Sequence, residues 1–133
     1  MEHKMYFTIG QVSKETGLSV YTLRYYEKEG ILPRLKRNKS GLRIYGQEEI
    51  NWLKMITCLR ETGMTIKEMK EYARLTFQGD DTISEREQLL KKQKTRLNLK
   101  IEQLEIYMSM INHKLDIYSE KQKGLGTKGN IDN

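Results

Sequence analysis

The chain has 133 residues, 37% of them hydrophobic and 32% charged, which is one domain's worth of soluble sequence and excludes a large multi-domain enzyme. No apolar run approaches a membrane span, and the opening MEHKMYFTIG lacks the basic-then-apolar layout of an export signal, so a cytoplasmic protein with no membrane partner is expected. One cysteine, Cys58, and two histidines, His3 and His113, provide neither a disulfide pair nor ligand spacing for a metal, so no metal site and no cofactor are expected. No nucleophile, base and acid recur as a set, and no phosphate-binding glycine motif appears, so catalytic residues are not expected either.

The formal charge of +6 belongs to the front half: residues 1–60 hold 11 Lys and Arg against 6 Asp and Glu, while residues 61–133 hold 13 against 12. Five helices are predicted, near 9–16, 20–29, 47–62, 66–78 and 83–122, with Gly17, Gly30, Gly63, Gly79 and Gly124 placed to supply a left-handed residue past each end. Three starts carry a Thr followed three residues later by Gln or Glu, the spacing of a reciprocal cap: Thr8 with Gln11, Thr65 with Glu68 and Thr82 with Glu85. Ser19 caps the second helix in this reading, and Gly46 or Gln47 begins the third.

The first two helices are short and meet at Gly17-Leu18-Ser19, with Ile9, Val12 and Leu18 placed to pack against Leu23. That is the layout of a helix-turn-helix whose second helix enters a major groove, although such joints also occur in unrelated proteins. Leu23, Tyr26 and Gly30 share a face, which turns Tyr26 inward. Beyond Ile31-Leu32-Pro33, the stretch from Arg34 to Arg43 contains Arg34, Lys36, Arg37, Lys39 and Arg43 and no acid. A polyanion suits it, and so does plain solvation of a basic loop. Leu42, Ile44 and Tyr45 predict a short hairpin, a wing, across Asn38-Lys39-Ser40-Gly41. Trp52, with Leu53, Ile56 and Leu59, reads as the core stripe of the third helix and not as a platform for bases.

In the last helix Ile83, Leu90, Leu97, Leu104, Ile111 and Tyr118 recur every seven residues. The companion positions are Glu87, Lys94, Ile101, Met108 and Leu115, so the seam is apolar only over its second half. Residues 97–118 are therefore expected to pair with another helix, and the chain has no second long helix to offer, which favours a homodimer over a helix folded back on its own globule. The expected dimerisation residues are Leu97, Ile101, Leu104, Met108, Ile111, Leu115 and Tyr118.

The run Phe7-Thr8-Ile9-Gly10-Gln11-Val12-Ser13, then Gly17-Leu18-Ser19, Thr22-Leu23-Arg24-Tyr25-Tyr26-Glu27 and Gly30-Ile31-Leu32, closely resembles the DNA-binding domain of MerR-family transcriptional regulators. The resemblance continues through Arg43-Ile44-Tyr45 and Gly63-Met64-Thr65-Ile66-Lys67-Glu68-Met69 and covers about residues 6–118. It implies a mainly α fold: a winged helix-turn-helix over 6–78, a dimerisation helix over 82–120 forming an antiparallel coiled coil, and a flexible tail over 121–133. It further implies double-stranded promoter DNA as partner, bent and untwisted for RNA polymerase. The implied DNA-binding residues are Tyr21, Thr22, Arg24 and Tyr25 on the second helix, Arg43 and Tyr45 in the wing with Lys36, Arg37 and Lys39 nearby, and Lys67 at the start of the fourth helix.

Metal-sensing members carry paired cysteines after the dimerisation helix, and drug-binding members a separate ligand domain; the stretch after Tyr118 is polar, glycine-containing and free of thiols. The segment Thr57-Cys58-Leu59-Arg60-Glu61-Thr62-Gly63 resembles instead the thiol-dependent branch that answers reactive aldehydes and nitrosative stress, making Cys58 the implied sensor. Lys54 and Arg60 are placed to stabilise a thiolate, Glu61 opposes them, and an unreactive structural cysteine is the competing reading.

Overall fold

The computed structural model describes residues 5–125. In chain order these are β1 (Phe7–Thr8), α1 (Ile9–Thr16), α2 (Val20–Lys28), β2 (Lys36–Arg37), β3 (Arg43–Tyr45), α3 (Gln47–Glu61), α4 (Ile66–Gln78), a 3-10 turn (Asp80–Thr82) and α5 (Ile83–Lys123). The expected helices are present with ends within a residue or two of the sequence reading. Among the described residues no helix is long and apolar enough to cross a membrane.

Local chemistry sets the first helices. The Gln11 amide donates to Thr8 Oγ1 at 3.2 Å while the Thr8 amide donates to Gln11 Oε1 at 2.8 Å, closing the expected reciprocal cap. Gly17, at φ 75°, ends α1 by donating its amide to the Ser13 carbonyl, a left-handed turn that a side chain would strain. Ser19 then accepts the Thr22 amide at 3.0 Å and starts α2. Thr65 and Glu68 repeat the reciprocal cap at α4. The third expected cap does not form. Thr82 is buried, its hydroxyl shared between the carbonyls of Leu75 at 2.6 Å and Gly79 at 2.8 Å while accepting from Arg86 Nε, because the 3-10 turn rotates it inward to fasten the α4–α5 corner.

The wing is a three-stranded antiparallel sheet in the order β1-β3-β2. Phe7 faces Tyr45 and Thr8 faces Ile44 on one side of β3, and Lys36 faces Ile44 and Arg37 faces Arg43 on the other. Asn38 shapes the tip, its Oδ1 accepting the amides of Ser40 and Leu42. Val12, Leu23, Tyr26, Ile31, Leu53, Ile56 and Met69 are fully or almost fully buried beneath these elements. Burying a side chain such as Leu23 contributes about 1.5–3 kcal/mol, so this shared core fixes α2 relative to the rest of the head. Trp52 belongs to it as expected: its Nε1 donates to the Ile31 carbonyl at 2.7 Å and its ring stacks on Tyr72 at 5.6 Å.

Residues cluster into two units that divide inside α5, between Lys94 and Thr95, not in the 78–82 connection expected from sequence. The beginning of α5 stays with the head because Leu89 and Leu90 pack on the core and the buried Gln93 donates through Nε2 to the Thr62 carbonyl at 2.7 Å and the Thr62 hydroxyl at 2.8 Å. The second unit is the remainder of α5, which leaves Ile101, Leu104, Met108, Ile111, Leu115 and Tyr118 exposed. Lys121–Lys123 are helical, so α5 runs one residue past the end expected for it; of the stretch 121–133 read as a tail, residues 126–133, like His3, lie outside the described residues.

Candidate nucleic-acid interface

The Ser19 cap and the burial of Leu23 and Tyr26 determine which way α2 faces. Tyr21 is 80% exposed, and Arg24, three residues on and so on the same face, is exposed with no hydrogen-bond or ion-pair partner among the described residues. Thr22 and Tyr25 are partly committed within the protein. The Thr22 Oγ1 accepts from the Ser19 hydroxyl at 2.9 Å, and the Tyr25 ring lies 6.2 Å from that of Tyr26.

Lys36 and Lys39 are exposed on the hairpin. Arg37 is exposed too, with Nη1 donating to the Gly41 carbonyl at 2.7 Å. Its register partner is Arg43, and like charges directly opposite across a strand pair repel. The fold gives each its own partner: Arg37 donates to the Gly41 carbonyl, and Arg43 is ion-paired with Glu27 of α2 without a hydrogen bond at its buried Nε among the described residues. Lys67 is exposed in the first turn of α4, while its neighbours are already paired, Lys70 with Glu29 at 3.7 Å and Arg74 with Glu71 at 2.6 Å.

Tyr45 requires correction. It was expected to reach DNA, but its side chain is 0% exposed and its hydroxyl is buried without a partner among the described residues. Residues 43 and 45 of β3 share a sheet face, and with Phe7 paired beside it that face closes over the Tyr45 ring. Burial pushes its pKa up to about 12, helped by the Glu27 charge and opposed by Arg43 and Arg24. Folding therefore favours the neutral phenol: the resulting stabilisation is present below pH 10 and lost as pH rises towards about 12. Tyr45→Phe is expected to abolish that alkaline loss in urea melts, to leave neutral-pH stability unchanged or raise it by ~1 kcal/mol because an unmatched hydroxyl is removed, and to leave operator affinity intact. A fall in operator affinity at unchanged stability would return Tyr45 to the interface.

Cys58 is exposed on α3, and its carbonyl accepts from the amide and hydroxyl of Thr62 at 3.0 and 2.9 Å. Arg60, expected to support a thiolate, is engaged elsewhere: Nη2 donates to Glu61 at 3.0 Å and Nη1 to the Tyr26 hydroxyl at 3.4 Å. Lys54 is exposed one turn before the cysteine. Glu27 was missed from sequence. Its only signal there is an acid standing on the otherwise cationic face of the second helix.

A capped two-helix joint whose second helix exposes an unpartnered arginine, beside a basic hairpin, defines a winged helix-turn-helix DNA-binding module. The sequence model for the MerR HTH family regulatory protein matches residues 7–76, and that for MerR, DNA binding, matches residues 50–113. The chain belongs to the MerR family and is a DNA-binding transcriptional regulator of that type. It is 38% identical over 123 residues to an uncharacterized HTH-type transcriptional regulator of Haemophilus influenzae, covering 92% of this chain and 90% of that one. With the HTH-type transcriptional regulator AdhR of Bacillus subtilis it shares 43% identity over 89 residues, 67% of this chain and 64% of the relative. The crystal structure of HiNmlR, a MerR family regulator lacking the sensor domain and bound to promoter DNA, superposes with a TM-score of 0.80 at 38% identity, over 92% of this chain and 96% of that one. A MerR family regulator from Bacillus thuringiensis gives 0.75 at 39% identity, over 84% and 98%.

Proposed function

We propose that this protein binds promoter DNA as a homodimer, distorts that DNA so that RNA polymerase can initiate, and does so in response to reactive aldehydes or related electrophiles through Cys58. The observation that carries the DNA reading is Arg24, exposed on a capped helix and without a hydrogen-bond or ion-pair partner among the described residues, in a head that also exposes Lys36, Arg37 and Lys39; similarity to a regulator bound to promoter DNA supports it. A planar guanidinium matches a guanine edge or a phosphate in two bonds, and surrounding lysines add sequence-independent attraction. Lys67, unpaired among the described residues at the start of α4, supplies a further phosphate contact. Dimerisation is supported by the apolar stripe that α5 leaves open to water.

For the effector, the supporting facts are the exposure of Cys58 and the similarity to AdhR. The thiolate sulfur adds to the carbonyl carbon of an aldehyde; the carbonyl π pair becomes an alkoxide and takes up the proton the thiol lost, leaving a hemithioacetal. Cys58 lies one turn before Thr62, which Gln93 of α5 grips, so an adduct on Cys58 stands one helical turn from the joint between α3 and α5. A preference of about 1–3 kcal/mol for the DNA-distorting state suffices for a switch.

In transcription in vitro from the promoter upstream of its own gene, wild-type protein is expected to activate on addition of formaldehyde. Cys58→Ser is expected to bind the same DNA equally well and remain silent. Full induction of the variant would assign Cys58 a structural role and leave a regulator with a non-covalent effector or none.

A further inference from the structure

The recognition helix carries one acid where a DNA-binding face is expected to carry none. Glu27 sits a turn beyond Arg24 and next to Lys28, where a carboxylate repels phosphate unless a cation satisfies it. That cation is Arg43, delivered from β3, and the two side chains are unequally sheltered: Glu27 is 17% exposed and Arg43 38%. Beside them the Tyr45 hydroxyl is buried without a partner among the described residues, so the Glu27–Arg43 pair is the polar closure of the seam between α2 and the wing. Arg43 also stands opposite Arg37, so the Glu27 carboxylate is the counter-charge that lets the two arginines face each other.

We propose that Glu27 is a specificity-determining positioning residue that acts without touching DNA: it clasps Arg43, sets the wing against the recognition helix, and withholds that cation from sequence-independent phosphate binding. The inference rests on the DNA-binding role of the head and is independent of Cys58. An ion pair between a sheltered carboxylate and the Arg43 guanidinium restrains the strand that bears it, so the hairpin and α2 present their cations as one pattern. Released, Arg43 gains reach and binds any phosphate, which raises affinity for all DNA and blunts the difference between operator and random duplex.

The test is a titration of wild type, Glu27→Gln, Arg43→Gln and the double variant against operator and random duplexes at several salt concentrations, with circular dichroism to establish folding. Glu27→Gln is expected to steepen the dependence of log K on log salt by about 0.9, one additional phosphate neutralised, and to lower the operator-to-random ratio roughly tenfold. In the Arg43→Gln background the same substitution is expected to leave the slope unchanged, because the freed cation is gone. Glu27→Asp, which keeps the charge, is expected to restore most of the ratio, and it carries the test if Glu27→Gln loses helix signal. An unchanged slope in Glu27→Gln, or an equal change with and without Arg43, would overturn the clasp.

Discussion

Arg24→Ala is expected to keep the helical circular-dichroism signal while operator affinity falls by about 10- to 100-fold, the range of one good arginine contact. Nothing in the fold depends on the Arg24 side chain: it is exposed and makes no hydrogen bond or ion pair among the described residues, and the helix beneath it is held by the Ser19 cap and by Leu23 and Tyr26. The charge is nonetheless aimed outward by those buried residues and flanked by Tyr21 on the same face. The kind of loss identifies the contact. A fall confined to operator DNA means a base edge is read, whereas a uniform fall with a salt slope shallower by about 1 means a phosphate is held. Unchanged affinity in a gel-shift titration would remove Arg24 from the interface.

Glutamates at Leu104 and Ile111 are expected to convert the protein from dimer to monomer in sedimentation velocity and to weaken operator binding more than 100-fold. Leu104 is 60% exposed and Ile111 57% exposed on a helix whose apolar stripe runs on to Tyr118. Each such side chain contributes about 1.5–3 kcal/mol when covered, and a two-fold interface counts every substitution twice. Two linked heads bind adjacent half-sites with an effective concentration that a lone head lacks, which is why loss of the pairing is felt at the DNA. Wild-type protein sedimenting as a monomer would defeat this reading of α5.

What was legible in the sequence was what is decided locally. Thr8 with Gln11 and Thr65 with Glu68 fix their helix starts through neighbours three residues away, and the spacing alone announces them. Thr82 has the same spacing, but its partners are the Leu75 and Gly79 carbonyls and Arg86, a corner that exists only once α4 and α5 have met. Strand β1 is two residues long and has no pattern of its own; it exists because Phe7 and Thr8 find Tyr45 and Ile44. The DNA-facing residues of α2 were implied by the MerR resemblance, and the burial of Leu23 and Tyr26 agrees with Tyr21 and Arg24 facing outward. The wing was harder. Arg43 and Tyr45 resembled a DNA-contacting pair, yet the alternation of a strand puts both on one face, and only the third strand and Glu27 reveal that this face is covered. An ion pair between residues on different elements leaves no local signature.

The most direct test of the central claim, that the head reads promoter DNA, is a DNase I footprint of the purified protein on the region upstream of its own gene, titrated across salt concentrations. The expected result is a two-fold symmetric protected region whose occupancy falls linearly in log salt and which Arg24→Ala fails to protect at the same concentration. Even coating of the whole fragment, or no protection by folded protein at any salt, would contradict it.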